Sequence, residues 1–539
     1  MRPLAETPSA LRTTTNALDT MNKQTSPWPA LWALVIGFFM ILVDTTIVSV
    51  ANPKILIGLD TDINSVIWVT SAYLLAYAVP LLVTGRLGDR FGPKNLYLIG
   101  LVLFTASSLW CGLSGTIGML ITARVVQGLG AALMTPQTMA VITRTFPPNK
   151  RGSAMALWGA TSGVAMLVGQ LLGGVLVDGL GWQWIFFINV PVGVIGFVAA
   201  IILVPKLPTH SHRFDILGVV LSAIGMFLVV FGIQEGEKYD WGTITGPITV
   251  WGMIIAGVVV LAGFVVWQAF GKGEPLMPLR LFRDRNFSLA NAAISTVGFT
   301  VTSMSLPLIF FAQLVLGFTP TQSALLMVPM AVVVIPLSPF VGRMADRVHP
   351  RYLSFFGLFL MAVSLVWYAA WLDPNVDLWP RLLLPGVALG VANAFIWAPL
   401  SVTATHNLPP AQAGAGAGVY NTLRQIGSVF GSAAIAALIQ ARLTANGLQA
   451  NSSGAEFSSA KLPSFVLQPF TDAMAQTMLL PAAVAALGAI IVLFFVRPRE
   501  NAVWSATHGT PVVAQQDAPA QDAAAPDAPA PDAPEPAER

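Results

Sequence analysis

A ten-residue segment of this chain occurs twice, and the repeat constrains the fold more than any other feature. Residues 85–94 read GRLGDRFGPK and residues 342–351 read GRMADRVHPR, 257 positions further on. Both copies lie between long apolar runs, so each is a short charged loop that joins two membrane helices. Recurrence of such a loop is typical of transporters built by duplication of one helical unit.

The composition indicates that the bilayer is the solvent of this chain. Hydrophobic residues make up 55% of it and charged residues 10%, whereas soluble domains carry about a quarter charged residues. The net charge of +3 gives no indication of nucleic-acid binding, and the single cysteine, Cys111, excludes a disulfide framework. The five histidines form no catalytic or metal-binding group, so we expect no enzyme, no metal site and no cofactor.

Fourteen apolar runs approach or exceed the length of about 20 residues that a membrane helix needs. We number them as predicted helices 1–14 in chain order. They cover residues 31–51, 66–85, 95–114, 117–141, 152–176, 183–204, 215–233, 248–270, 287–314, 321–341, 351–371, 380–401, 413–440 and 474–496. The predicted fold class is therefore an all-α integral membrane protein with both termini on one side.

The distribution of basic residues predicts which side that is. With the amino terminus in the cytoplasm, 21 of the 28 Lys and Arg residues face the cytoplasm and five face outward. Arg124 and Arg424 remain inside the membrane. Cytoplasmic loops carry the excess of basic residues in membrane proteins, so we expect both termini in the cytoplasm of a multi-pass cell-membrane protein.

The spacing of the repeat divides the chain. A separation of 257 residues corresponds to eight helices at about 32 residues each, which pairs the loop after helix 2 with the loop after helix 10. Two six-helix halves then flank an inserted pair. The predicted organisation is a polar cytoplasmic segment at 1–30, the first half at 31–204, the inserted helices and a cytoplasmic loop at 205–286, the second half at 287–496 and a disordered cytoplasmic tail at 497–539.

Four further motifs accompany the repeated loop. Residues 42–53 read LVDTTIVSVANP in helix 1, residues 124–131 read RVVQGLGA in helix 4, residues 169–174 read GQLLGG in helix 5, and residues 182–193 read WQWIFFINVPVG. With these five motifs in this order, the chain resembles the major facilitator superfamily over about residues 28–500. The closest resemblance is to its fourteen-helix drug:proton antiporters of the EmrB/QacA type. Asn52, Pro93, Gln170 and Gln183 depart from the usual residues of these motifs.

The two charges inside predicted helices 1 and 4 are the candidate proton-coupling site. Asp44 is the one acid well inside a predicted span, and Arg124 lies in helix 4. Each is about seven residues, or roughly 10 Å, from the predicted outer end of its helix. A charge at the bilayer centre costs roughly 2.5–3.5 kcal/mol, and the resemblance implies that both helices line the central cavity. The alternative is a static ion pair that holds the two helices together.

The predicted substrate cavity uses polar and aromatic residues of helices 4, 12 and 13. Asn421, Arg424, Gln425 and Ser428 share one face of helix 13, and Asn393 and Trp397 are one turn apart in helix 12. Gln127 of helix 4 is assigned to the same cavity. For helix 13 the alternative is hydrogen bonding between helices, and for Trp397 it is packing.

The repeated loops and the glycines of helix 5 are assigned to conformational change. The resemblance implies that Gly85, Asp89, Arg90, Gly342, Asp346 and Arg347 form a cytoplasmic latch that favours the outward-open state. Gly169, Gly173 and Gly174 belong to the antiporter motif of helix 5. Glycines allow another helix to approach closely, which suits a hinge between rocking halves and equally suits tight packing.

These features together predict a proton-coupled antiporter that exports hydrophobic drugs or toxic compounds by alternating access. The charge of the substrate stays open, with cations among the candidates. The alternative on the same fold is a dedicated exporter or importer of an endogenous metabolite, lipid or siderophore. We expect the proton gradient to drive transport and the partners to be hydrophobic small molecules, protons and membrane lipid. No nucleic acid is expected, and an accessory efflux protein is left open.

Overall fold

The computed structural model describes residues 26–209, 215–271, 275–345, 348–377, 381–408, 410–448 and 463–496. The predicted tail at 497–539 and most of the predicted amino-terminal segment lie outside these residues. Helices are labelled below by the number of the predicted helix, with letters where one predicted helix is broken into two.

The first half contains six helical segments, and two of them are interrupted. Its helices are α1 (Trp28–Gly58), α2a (Ile63–Ala78), α2b (Leu81–Phe91), α3 (Pro93–Gly112), α4 (Ile117–Thr145), α5 (Pro148–Leu180), α6a (Trp184–Phe187) and α6b (Asn189–Leu203). The break in α2 falls at Pro80, which lacks the amide proton that a continuous helix needs. Asp62 begins α2a by accepting a 2.9 Å hydrogen bond from the Ser65 amide.

The inserted pair consists of two helices joined on the predicted outer side. These are α7 (Ile216–Glu235) and α8 (Val250–Phe270), and between them lie a 3-10 turn (Glu237–Tyr239) and a two-stranded antiparallel hairpin of β1 (Thr243–Thr245) and β2 (Ile248–Thr249). The sequence reading did not predict this hairpin. The two helices pack on each other, and α7 also contacts α13 and α2a.

The second half repeats the arrangement of six helical segments. Its helices are α9 (Arg285–Phe310), α10a (Pro320–Leu325), α10b (Val328–Ala345), α11 (Pro350–Trp371), α12 (Leu383–His406), α13 (Pro410–Ala445), α14a (Ser464–Thr477) and α14b (Leu479–Val492). A π turn at Phe311–Val315 ends α9. Thr319 and Gln322 form a capping box at the start of α10a.

The structure confirms the predicted helical membrane architecture. Each of the fourteen predicted spans overlaps a helix, and among the described residues twelve helices are long and apolar enough to cross a bilayer. The α2 and α5 regions contribute shorter apolar pieces, Ile63–Ala78 and Val168–Leu180. The protein is therefore a multi-pass, all-helical membrane protein apart from the small hairpin, and the exact count of fourteen crossings stays a prediction.

One boundary matters for the site and differs from its prediction. Helix α1 does not end at residue 51 but continues through Pro53 to Gly58. Asp44 is therefore 14 residues from the outer end of α1, about 21 Å along the helix axis, and lies near its midpoint. The predicted helix end at residue 51 was too early because the Asn-Pro-Lys sequence at 52–54 resembles a helix end.

The two halves meet mainly where α2a packs on α13 and where α5 packs on α10a. Smaller contacts join α13 to α2b and α4, α5 to α10b, and α1 to α9 and α10a. Two hydrogen bonds join the halves near their predicted outer ends: Gln313 Nε2 donates to the Val50 carbonyl at 2.9 Å, and the Thr321 amide donates to Asp178 at 2.8 Å. The halves are therefore in contact at the predicted outer side in this structure.

Candidate proton-coupling site and substrate cavity

Asp44 and Arg124 form a buried ion pair in the first half. The Arg124 Nη1 atom lies 2.5 Å from Asp44 Oδ2, and the two side chains are 1% and 0% exposed. Arg124 Nε also donates to the Val69 carbonyl of α2a at 3.1 Å. The structure thus brings together the two residues that the sequence singled out, and it ties α1, α2a and α4 through them.

Three neutral side chains complete the hydrogen bonding of the pair. Gln127 Nε2 donates to Asp44 Oδ1 at 2.9 Å and to Ser108 Oγ at 2.7 Å, while its Oε1 accepts from Arg124 Nη1 at 2.6 Å. Asn189 Nδ2 donates to Asp44 Oδ1 at 3.1 Å. Both carboxylate oxygens of Asp44 therefore have partners, as a buried charge requires. We call these five residues the coupling cluster.

The coupling cluster differs from the predictions at three positions. Gln127 was assigned to the substrate cavity, but it is fully buried between Asp44, Arg124 and Ser108. Ser108 and Asn189 were not singled out at all. Asn189 belongs to the family-like segment at 182–193, so the motif was visible in the sequence, whereas nothing in the sequence indicated that its amide reaches Asp44.

Aromatic rings cover the guanidinium of Arg124. Its central carbon lies 4.0 Å from the centre of the Tyr73 ring and 5.8 Å from that of Phe186. The faces of aromatic rings attract cations, and rings exclude water from the ion pair. Tyr73 is itself fully buried.

Arg124 supplies the positive charge that balances the Asp44 carboxylate, so opening this one contact would leave two buried charges without a counterion. All members of the cluster lie on helices of the first half, so the motion that opens the contact can originate within that half.

A cavity lies between the two halves beside the coupling cluster. Its empty volume, including the part open to solvent, is about 840 Å³. Thr45, adjacent to Asp44, lies in its wall, as do Thr70 and Leu74, which flank Tyr73 along α2a. The other helices that line it are α5, α9, α10a to α10b, α11, α12 and α14, so both halves contribute.

The residues predicted to line a cavity in helix 12 lie one layer behind its wall. Asn393 Nδ2 donates to the Leu389 carbonyl at 2.9 Å and contacts Met330 Sδ at 3.8 Å, and both Leu389 and Met330 line the cavity. Trp397 Nε1 donates to Asn393 Oδ1 at 3.2 Å. In this structure the pair therefore contacts residues of the wall from behind, and a substrate role for Asn393 and Trp397 stays a prediction.

The polar face of helix 13 is also placed outside this cavity. Gln425 and Ser428 are buried, and Ser428 donates to the Gly298 carbonyl of α9 at 3.2 Å. Arg424 lies close enough to Tyr77 and Tyr420 to interact with them electrostatically. Asn421 is half-buried. Ser428 thus makes a contact between helices, the alternative left open for this face, and a substrate role for Asn421, Arg424 and Gln425 stays a prediction.

The glycines of the helix 5 motif make close contacts in two directions. A Cβ atom on Gly173 would lie 2.7 Å from Ile47 of α1, and Gly169 packs as tightly on Val43 and Thr46. A Cβ atom on Gly174 would lie 2.6 Å from the Thr321 Cα and 3.0 Å from the Pro320 carbonyl oxygen of α10a. Gly174 is therefore the glycine at the contact between the halves.

The predicted latch is described only in part. Gly85 is in ordinary contact with Pro136 of α4, and Gly342 has no atom within 4 Å of an added Cβ. The Arg90 guanidinium lies 5.4 Å from the Phe91 ring centre. The side chain of Asp89 and the whole of Asp346 and Arg347 lie outside the described residues, so the charge pairs of the latch stay a prediction.

One buried acid was missed in the sequence. Glu235 ends α7, is 5% exposed, and accepts hydrogen bonds from Asn64 Nδ2 at 2.8 Å and Trp68 Nε1 at 2.5 Å, both on α2a. Lys238 lies 3.4 Å from its other oxygen. Glu235 stands just beyond the predicted end of helix 7 at residue 233, where an acid reads as a loop residue. It fastens the inserted pair to the first half.

Comparisons with known proteins agree with this architecture. Residues 34–432 match the model of the Major Facilitator Superfamily. The chain is 53% identical over 476 residues to an uncharacterized MFS-type transporter of Mycobacterium tuberculosis, covering 87% of this chain and 81% of the relative. It is 31% identical over 411 residues to the multidrug export protein EmrB of Escherichia coli, covering 74% of this chain and 78% of EmrB.

A solved structure with the same fold is that of a bacterial homolog to the human lysosomal transporter Spinster, in an inward-facing and unoccupied conformation. The TM-score is 0.56 at 17% sequence identity, and the match covers 87% of this chain and 96% of that one. At this identity the likeness concerns the fold alone.

Proposed function

This chain belongs to the major facilitator superfamily, whose members are transporters rather than enzymes, and we propose that it exports hydrophobic drugs or toxic compounds in exchange for protons. The similarity to EmrB, a multidrug export protein, supports drug export. The coupling cluster supports the proton as the driving ion. The proposed site is the cell membrane, with both termini in the cytoplasm.

The observation that carries the proposal is the complete burial of the Asp44–Arg124 pair beside the cavity. Removing two charges from water costs several kcal/mol per ion, and a buried ion pair is often no more stabilising than apolar residues of the same volume. Fold stability alone is therefore a weak reason to place this pair in the membrane. Under this proposal the Asp44 carboxylate alternates between binding a proton and contacting Arg124, which gives the buried pair a role in transport.

The proposed cycle alternates two states of Asp44. In one state Arg124 contacts the carboxylate and the proton leaves; in the other the contact opens and Asp44 takes up a proton from the outer side. Each proton that crosses 100 mV yields about 2.3 kcal/mol, which sustains a substrate gradient of roughly 50-fold. Substrate and proton would then use adjacent sites, since Thr45 lines the cavity while Asp44 faces the cluster.

Alternating access would use the contacts between the halves. Gly174, Asp178 and Gln313 join the halves near the outer ends in this structure. The repeated loops would join them on the cytoplasmic side when the outer contacts open. Under this proposal the latch residues govern the populations of the two states and leave the choice of substrate to the cavity.

The test is transport in inside-out vesicles with an imposed pH gradient. A fluorescent drug substrate should accumulate in vesicles that contain the protein when their interior is acidic, and accumulation should stop when an ionophore collapses the gradient. Running cationic, neutral and anionic compounds in parallel determines the substrate charge. Accumulation of the drug that does not depend on the pH gradient would refute proton coupling. Movement of the drug only out of the vesicles would refute export.

A further inference from the structure

Gln170 is a polar residue of the cavity wall that no mechanism above uses. It stands in α5 at the position where the resembled motif has a proline, between Gly169 and the other two glycines. The residue is 9% exposed and lines the cavity, and its buried amide oxygen has no hydrogen-bond partner among the described residues. An unsatisfied buried amide costs free energy, so this side chain is suited to a partner that arrives with the ligand.

Three hydroxyl groups of the cavity wall direct their protons to backbone carbonyls and so present acceptors to a ligand. Thr45 donates its proton to the Ile41 carbonyl at 2.8 Å, Ser49 donates to the Thr46 carbonyl at 3.0 Å, and Ser305 donates to the Thr302 carbonyl at 3.1 Å. A hydroxyl has one proton to donate and two lone pairs. With the protons directed to the helix backbone, the lone pairs remain for the ligand.

The cavity offers no charge to balance an ion. Its described lining consists of hydroxyl, amide, thioether, aliphatic and phenol side chains without an acid or base. Asp44 adjoins the wall residue Thr45 along α1, and both of its carboxylate oxygens are bonded within the coupling cluster. A permanently charged ligand would lose its hydration here without gaining a countercharge.

We propose that Gln170 determines specificity in this cavity and that the cavity binds uncharged, apolar, ring-containing compounds carrying a hydrogen-bond donor such as a phenolic hydroxyl. The side-chain amide of Gln170 can turn its oxygen towards the donor, and the wall hydroxyls accept further hydrogen bonds. Methionines 304, 327, 330 and 478 supply adaptable apolar surface for the rings. The proposal rests on the proposed function in taking this cavity as the substrate site.

The test is equilibrium binding to the full-length protein in detergent, which needs neither a gradient nor transport. Three fluorescent probes share one ring system: 1-hydroxypyrene, 1-methoxypyrene and a trimethylammonium derivative of methylpyrene. We expect the wild type to bind the hydroxyl probe about tenfold more tightly than the methyl ether, the effect of one hydrogen bond to a buried group, and to bind the quaternary cation most weakly.

Two variants locate the effect. Gln170→Leu keeps the approximate volume and removes the amide, so it should reduce the hydroxyl-to-ether affinity ratio to about one while binding of the ether changes less than about twofold. Met304→Leu, in the same wall, should alter both affinities together and preserve the ratio. Retained binding of the ether shows that the Gln170→Leu protein is folded.

The outcomes separate this inference from the proposed function. A wild-type protein that does not bind 1-hydroxypyrene, that binds both uncharged probes equally, or that prefers the cation overturns the inference. So does a Gln170→Leu protein with an unchanged ratio. Discrimination between the probes in a protein that shows no pH-driven transport would refute proton-coupled export and leave the assignment of Gln170 standing.

Discussion

Substitution of Gly174 by alanine should open the outer side of the protein. The residue lies where α5 meets α10a, and the added methyl carbon would lie 2.6 Å from the Thr321 Cα and 3.0 Å from the Pro320 carbonyl oxygen. Carbon atoms in ordinary contact are about 3.5–4.0 Å apart. The backbone of α10a must therefore move away by about 1 Å, since no flexible side chain can yield instead.

The cost of this overlap falls on one state of the transport cycle. Inserting a methyl group into a well-packed contact costs typically about 1–3 kcal/mol. If the contact exists only while the outer side is closed, the whole cost shifts the equilibrium towards the outward-open state. That corresponds to a change of roughly 5- to 150-fold in the population ratio.

The population of the outward-open state can be measured by cysteine labelling. Ser49 lines the cavity, so a Ser49→Cys protein, with the native Cys111 replaced by alanine, should react with a membrane-impermeant maleimide added outside only when the outer side opens. The matched control is Gly179→Ala in the same helix, where an added Cβ meets no atom within 4 Å. Both changes replace a helical glycine by alanine, so effects of helix propensity are shared.

We expect Gly174→Ala to increase the labelling rate at least about fivefold over Gly179→Ala. Equal labelling rates in the two proteins would refute the argument, because they would mean that the contact between Gly174 and α10a does not close the outer side.

Three further predictions concern buried polar groups. Arg124→Ala should abolish pH-driven drug accumulation in vesicles and Arg124→Lys should only reduce it, since lysine keeps the charge but loses the planar fork; equal and mild losses would contradict the role of the pair. Glu235→Gln should lower the thermal unfolding temperature in detergent, and Trp68→Phe should lower it less, because the carboxylate has several partners and the indole has one. An unchanged temperature in Glu235→Gln would show that the contacts of the Glu235 carboxylate add no stability. Asn52 is fully buried, and neither of its amide atoms has a partner among the described residues. Asn52→Leu should therefore stabilise the protein by about 1–3 kcal/mol, and a fall in melting temperature would indicate a partner for this amide.

Apolar run length and buried charge made most of the architecture predictable. A span of apolar residues leaves the helix as the way to satisfy its backbone in lipid, so each predicted run overlaps a helix. The cost of a charge in the bilayer singled out Asp44 and Arg124 without any knowledge of their contact. We did not predict the hairpin between α7 and α8 or the extension of α1 to Gly58, because short polar segments are under no such constraint.

The cavity could not be predicted because its position depends on how each helix is rotated about its axis. Asn393 has the chemistry of a binding residue but lies behind Met330, whereas Thr45 was visible only as a neighbour of Asp44. Glu235 escaped because an acid at the end of an apolar run usually faces water. Gln170 was visible as a departure from the motif, but its unpaired amide became evident only from the packing around it.

Asp44→Asn is the substitution that isolates the proton, because asparagine keeps the shape and loses the titratable group. It also leaves Arg124 without its countercharge, and breaking a buried ion pair can cost about 3–5 kcal/mol. The hydrogen bonds from Arg124 to Gln127 and to the Val69 carbonyl remain available. Binding of substrate by the purified variant therefore serves as the control for folding, and Asp44→Glu serves as the variant that retains a titratable acid.

The most direct test of proton coupling is proton movement driven by a substrate gradient in proteoliposomes held at zero membrane potential. The wild type should move protons in the direction opposite to the substrate, and the flux should vanish when the substrate gradient is removed. The Asp44→Asn protein should let substrate equilibrate while moving no protons. Coupled proton flux in Asp44→Asn at the wild-type ratio to substrate would contradict the assignment of Asp44 as the proton carrier.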